Sequence, residues 1–170
     1  GNRLCIELGA LMHDVGDHKV AVHDGPSEIR RVLGSLGADP AIIEEVVYIN
    51  ENISFSKGKR PAEPGAELQI VQDADRLDAM GAIGIARAFN YGGFKGNEIY
   101  DPREQLSDPP LLSASRSNSV STVHHFYDKL LLLRDLMNTP SGRKLAEERH
   151  MFMVRYLEQF FREWNEGNNC

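Results

Sequence analysis

The chain has 170 residues, of which 41% are hydrophobic and 26% are charged, and its formal net charge is −6. This length and balance allow one globular domain with a buried core. The acidic charge argues against a broad nucleic-acid surface, which needs clustered Lys and Arg, and no apolar run is long enough to span a bilayer.

The two cysteines do not suggest a disulfide framework or a zinc knuckle. Cys5 lies in an apolar segment and Cys170 is the last residue. The opening tripeptide, Gly1-Asn2-Arg3, is unlike a signal peptide. We therefore expect a cytoplasmic protein in a reducing compartment.

Helical patterns fill the first half of the chain. Apolar spacing predicts a first helix over residues 3–13. Asp24 begins a second helix that Gly37 ends, and Asp39, with proline at the next position, caps a third. A fourth helix is predicted over residues 66–78.

The second half has the same character, with one long interruption. The pattern predicts a helix over 83–91 that ends at a glycine pair, then a loop over 94–118, a helix over 120–137, and a last helix capped by Thr139 that reaches about Trp164. The loop contains three prolines and is longer than most connections, which is typical of a lid or a binding loop.

No strand-like alternation separates these helices. We therefore predict an all-α fold, with residues 1–170 forming a single compact helical domain of about six to eight helices. Two apolar stripes are predicted to face the core: Phe126, Leu130, Leu133 and Met137, and then Phe152, Tyr156, Phe160 and Trp164.

Two short segments place metal-binding side chains inside otherwise apolar helical sequence. His13 and Asp14 stand at the end of the first helix, and Asp73, Asp75 and Asp78 lie within six positions of the fourth. Crowded carboxylates repel one another and are costly to desolvate, so we expect a cation to neutralise them. Packing of the two helices would join Asp75 to His13 and Asp14, a ligand set that suits Mn, Mg, Fe or Co.

Ordinary structural roles also fit these residues one by one. An isolated His-Asp pair is more often a simple hydrogen-bonded pair. Asp73 also fits a cap, and Asp78 fits an ion pair with Arg76 or Arg87. The combination of both segments in one small helical domain is what favours a metal site.

These residues resemble the signature of the HD-domain metal-dependent phosphohydrolase superfamily, His…His-Asp…Asp. His13-Asp14 matches the central doublet, and Asp75 matches the distal aspartate. Four longer segments are similar to one bacterial branch of stand-alone HD hydrolases: residues 53–58, 72–87, 125–130 and 138–146.

The resemblance implies a function as well as a fold. Members of that branch are described as nucleotide pyrophosphohydrolases, usually supported by Mn. It therefore implies hydrolysis of nucleoside triphosphates, deoxy forms included, with release of pyrophosphate and with Mn, Mg, Co or Fe as cofactor. The alternatives are an HD phosphomonoesterase of the 5′-nucleotidase type and a non-catalytic nucleotide-binding domain.

The chain departs from the superfamily pattern at two positions. The superfamily places a first metal-binding histidine one helix before the doublet, and none of residues 1–12 is a histidine. We expect that the N-terminal helix carrying this ligand is missing, the alternative being that the ligand is absent. Some members also carry a histidine where this chain has Ile53, which argues against a second metal.

The candidate catalytic residues are Asp17 and Asp78. Asp17 stands one helical turn after His13, where it would act as general base or orient the attacking water. A solvated turn residue is the equal alternative. Asp78 is the candidate for orienting a metal ligand.

The candidate substrate-binding residues are basic. Lys57, Lys59 and Arg60 share a glycine-containing loop, which suits a phosphate clamp, although loop lysines are more often only solubilising. Arg87 would either reach the site or pair with an aspartate. The expected partner is a small phosphorylated substrate, with no nucleic-acid polymer and no membrane, and the expected state is a monomer or homodimer.

Overall fold

The structure is a computed structural model, and it describes residues 1–16, 24–53, 63–106 and 121–167. The all-α prediction is confirmed, because these ranges contain seven α-helices, one 3₁₀ helix and no strand. The α-helices are α1 (Arg3–Met12), α2 (Gly25–Ser35), α3 (Pro40–Asn52), α4 (Ala66–Asp78), α5 (Gly81–Lys95), α6 (Thr122–Asp128) and α7 (Pro140–Gly167), and the 3₁₀ helix is Leu130–Leu136. None of the described helices has both the length and the apolar character needed to cross a bilayer.

The chain divides into two compact units, and the boundary falls inside α4, between Asp75 and Arg76. The first unit contains α1, α2, α3 and most of α4. The second contains the end of α4 and all later helices. The single-domain expectation stays a prediction.

The predicted helix caps of the first unit are present. The Asp24 carboxylate accepts hydrogen bonds from the Ser27 backbone N–H at 3.2 Å and from its hydroxyl at 2.6 Å. These two bonds, the hydroxyl first, hold the pKa of Asp24 below its ordinary value. Asp39 accepts from the Ala41 N–H at 2.7 Å, and Gly37 takes the left-handed conformation (φ 72°) that ends α2.

Two groups of buried side chains hold the first unit together. One joins α2 to α3, and the other joins α3 to α4: Ile29, Leu33, Ile43, Val46 and Val47, and then Ile49, Ile53, Leu68 and Val71. Helix α1 approaches closely at Gly9, where an added Cβ would lie 2.9 Å from the Ile49 Cδ1 atom. The small residue therefore lets the α1 backbone pack directly on α3.

The predicted helix over 120–137 is wrong as one continuous element. Helix α6 ends at Asp128, Lys129 leaves the helical region (φ −143°), and the 3₁₀ helix follows. Four consecutive leucines occupy positions 130–133, and they span about 300° around an α-helix, wider than one apolar stripe. A short 3₁₀ helix packed against both α6 and α7 buries such a run from more than one side.

The first predicted apolar stripe is buried despite this break, whereas the second is displaced. Phe126, Leu130, Leu133 and Met137 are all in the core of the second unit. On α7, Phe152 is 44% exposed, so its predicted core position is wrong. The fully buried residue there is Met153, one position later, while Tyr156 and Phe160 are partly buried and Trp164 packs against Tyr100.

Helix α5 is longer than predicted. It continues through Gly92 and Gly93 and ends at Lys95, and the cap residue Gly96 has a φ of 75°. Gly92 is a packing residue, because a Cβ there would overlap the Thr122 Oγ1 atom at the start of α6, whereas a Cβ at Gly93 would meet open space.

The glycine pair therefore offers a matched test of this packing. We expect Gly92→Ala to destabilise the protein by about 1 to 3 kcal/mol, because the added methyl group overpacks the α5–α6 contact. Gly93→Ala should be neutral or stabilising by up to about 1 kcal/mol, since alanine favours helix. Urea unfolding followed by circular dichroism measures both, and equal stability of the two variants would contradict the proposed contact.

Candidate metal centre

The histidine of the His-Asp doublet lies at the C-terminal end of α1. His13 is the cap residue of this helix, and the turn that follows ends at Gly16, whose φ is 79°. The His13 Nδ1 atom lies 2.8 Å from the Ala10 carbonyl oxygen. Because a carbonyl only accepts, Nδ1 carries the proton, and this bond fixes the orientation of the ring.

The other ring nitrogen of His13 faces two carboxylates. Its Nε2 atom lies 3.2 Å from Asp14 Oδ2 and 3.7 Å from Asp75 Oδ1, which approaches from α4. His13 is 26% exposed, Asp75 49% and Asp14 77%, so the cluster is reachable from solvent. The first unit therefore brings the three predicted ligands together.

The electrostatics of this cluster favour a cation. With its proton on Nδ1, a neutral imidazole presents a lone pair at Nε2, and that lone pair faces two negatively charged oxygens. Either a second proton or a metal ion at Nε2 removes this repulsion. A ligand histidine that donates its other N–H to a backbone carbonyl is a recurring arrangement in metal sites.

The cluster is open rather than closed around an ion position. Within the described ranges, no three His, Cys, Asp or Glu side chains converge closely enough to enclose a metal. The two short approaches are pairwise, each between His13 Nε2 and one carboxylate oxygen. The donor chemistry, one imidazole nitrogen with carboxylate oxygens, fits a hard or borderline divalent ion.

One residue that shapes this site escaped the sequence analysis. The Asn50 side chain, 4% exposed on α3, donates from Nδ2 to the carbonyl oxygens of Met12 (3.1 Å), His13 (2.9 Å) and Val15 (3.1 Å). Its signal was present in the sequence, because position 50 continues the apolar stripe of Ile43 and Val46. A polar side chain on a buried helix face requires partners.

The same turn also explains Gly25, the first residue of α2. A Cβ at this position would overlap the Val15 carbonyl oxygen and lie 3.1 Å from Asn50 Oδ1. Glycine therefore allows the start of α2 to press against the turn that carries the doublet.

Comparison with known proteins places the chain in a family. No family model matches it. It is 40% identical over 158 residues to the uncharacterized YpgQ of Bacillus subtilis, covering 91% of this chain and 69% of that protein. The structure of an HD-superfamily hydrolase from Bacillus thuringiensis superposes with a TM-score of 0.73 at 41% identity, covering 97% of this chain and 76% of that one. The chain belongs to the HD superfamily.

A second solved structure that is similar to this chain contains a bound nucleotide. The crystal structure of Bacillus subtilis YpgQ in complex with ADP superposes with a TM-score of 0.77 at 36% identity, covering 96% of this chain and 78% of that one.

The remaining predicted site residues have varied positions. Asp78 and Arg87, both in the second unit, form an ion pair with each other, the ordinary role considered for each. Residues 107–118 of the predicted 94–118 loop lie outside the described residues. So do four candidate site residues: Asp17, Lys57, Lys59 and Arg60.

Gly25, at the start of α2, allows a stability test of its contact with the turn that carries His13 and Asp14. We expect Gly25→Ala to destabilise the protein by about 1 to 3 kcal/mol, because a backbone carbonyl cannot rotate away as a side chain can. Gly34→Ala on the same helix is the control, since a Cβ there meets nothing within 4 Å. Thermal unfolding compares the two, and a Gly25→Ala protein as stable as Gly34→Ala would refute the close contact.

Proposed function

We propose that this HD-superfamily protein is a metal-dependent phosphohydrolase that acts on nucleotides. We further propose that it hydrolyses nucleoside triphosphates, deoxy forms included, and releases pyrophosphate. The observation that carries the proposal is the approach of Asp14 and Asp75 to the free ring nitrogen of His13. The resemblance of the surrounding segments to nucleotide pyrophosphohydrolases adds the substrate class.

The proposed metal ligands are His13 Nε2 and the carboxylates of Asp14 and Asp75. Mn is the proposed ion, and Mg, Co and Fe suit the same donor set. Such an ion, when bound, lowers the pKa of a coordinated water and polarises phosphoryl oxygens. The Ala10 carbonyl holds the imidazole so that Nε2, rather than Nδ1, is presented to the ion.

We also propose roles for the chain's other candidate residues. Asp17 is proposed to take a proton from the attacking water or to orient that water, and Asp78 to orient a ligand. Lys57, Lys59 and Arg60 are proposed to hold substrate phosphates. Arg87 must exchange its Asp78 partner for a phosphate if it contributes to binding.

The nucleotide class is supported by the relative that binds one. YpgQ was crystallised with ADP, and the match covers 96% of this chain. A nucleoside diphosphate presents the diphosphate group that basic side chains and a divalent ion recognise together.

Removing any one proposed ligand should abolish the site. We expect His13→Ala, Asp14→Ala and Asp75→Ala each to eliminate both Mn binding and nucleotide turnover, because each removes one of the three proposed donors. Elemental analysis and a hydrolysis assay measure the two effects. Glu148→Gln, an exposed carboxylate on α7, is the control that should change neither. Full activity in any of the three variants would remove that residue from the ligand set.

The reaction products separate the proposal from its alternatives. With Mn and a panel of nucleoside triphosphates, we expect pyrophosphate and the monophosphate as products. EDTA should stop the reaction and added Mn should restore it. Orthophosphate released only from monophosphates would indicate a phosphomonoesterase instead. Nucleotide binding without turnover under any divalent ion would indicate a binding domain.

A further inference from the structure

The turn that carries the metal doublet is held by a single side chain. Asn50 Nδ2 lies within hydrogen-bonding distance of three carbonyl oxygens, those of Met12, His13 and Val15. We propose that Asn50 is a positioning residue for the metal centre, setting the His13-Asp14 backbone so that both side chains meet Asp75. This inference rests on the proposed function, because it assigns Asn50 a role toward the same ion.

The contacts require a donor at this position. Backbone carbonyls only accept hydrogen bonds, and the carbonyls at the end of a helix have no partner within it. The asparagine amide supplies two N–H groups to three oxygens, so at least one N–H is shared. Asn50 is 4% exposed, and its loss would take one hydrogen bond from each of these three acceptors in a place that water scarcely reaches.

The three carbonyls belong to residues on both sides of Asp14 along the chain. Met12 and His13 are the last residues of the α1 end, and Val15 follows Asp14 directly. The Val15 N–H also donates to the Met12 carbonyl at 3.1 Å, which closes the turn. Asn50 therefore fixes the backbone on both sides of Asp14, and with it the direction in which the His13 ring and the Asp14 carboxylate leave the chain.

The Asn50 side chain is closely packed on α3. Asn50 continues the stripe of α3 that buries Val46 and Val47, and its neighbour Ile49 is fully buried. A Cβ at Gly25, at the start of α2, would overlap the Val15 carbonyl oxygen and lie 3.1 Å from Asn50 Oδ1. The amide is thus confined from both sides, as a group that must hold metal ligands in place should be.

Asn50→Asp is the sharpest variant, because it keeps the shape and replaces the donor by an oxygen that repels the three carbonyls. We expect the Mn dissociation constant of the folded, full chain, measured by electron paramagnetic resonance, to rise by about 10- to 100-fold. Asn52→Asp is the matched control: it makes the same change on the same helix, and Asn52 Nδ2 donates to Tyr48 of its own helix. Its Mn affinity should stay within about twofold of wild type, since its side-chain amide bonds within α3.

A second readout needs neither metal nor turnover. Long-range ¹H–¹⁵N spectra at alkaline pH report which ring nitrogen of His13 carries the proton. We expect wild type and Asn52→Asp to show the Nδ1–H form, and Asn50→Asp to show a mixture, because a released turn loses the fixed Ala10 bond. A protein that was merely less stable would keep the wild-type ring signal in its folded fraction.

The outcomes separate this inference from the proposed function. Unchanged Mn affinity and an unchanged His13 tautomer in Asn50→Asp would overturn the positioning role while leaving the metal site intact. If wild type binds no Mn, the proposed function fails, and with it the role of Asn50 toward an ion, while the tautomer still reports whether Asn50 orients the ring. If Asn50→Asp does not fold, Asn50→Ser replaces it: a Mn dissociation constant raised about fivefold or more supports the role, and an unchanged one overturns it.

Discussion

The meeting of one imidazole nitrogen with two carboxylate oxygens is the interaction on which the site depends. Like-charged oxygens converge only where something positive compensates them, and here they converge on His13 Nε2. The opposite ring nitrogen, Nδ1, lies 2.8 Å from the Ala10 carbonyl oxygen, which fixes the orientation of the ring. A proton or a divalent ion at Nε2 resolves the conflict, and membership of the HD superfamily favours the ion.

Close backbone packing makes this meeting possible. Gly9 lets α1 approach α3, and Gly25 lets the start of α2 press against the Val15 carbonyl. Asn50 then donates to the carbonyl oxygens of Met12, His13 and Val15 in the same turn. Gly9, Gly25 and Asn50 thus shape the turn, although none of them is a proposed ligand.

Local patterns determined most of the secondary structure. The boundaries of α1 and α4 and the caps Asp24 and Asp39 follow from apolar spacing and from capping chemistry that acts within a few residues. The errors arose where long-range packing outweighs these local preferences. Gly92 resembles a helix stop in sequence, yet it is a contact site for Thr122, thirty positions away.

The sequence by itself determined the all-α class, the family resemblance and the choice of proposed metal ligands, because these depend on residue type and short spacing. Only the tertiary structure decided that Asp75 reaches His13, that Asp78 pairs with Arg87 and that Asn50 fastens the doublet. The physical reason is that hydrogen bonds and ion pairs act over a few ångströms in space. Thirty-seven positions separate Asn50 from His13, and periodicity carries no information about which distant groups the fold will bring into contact.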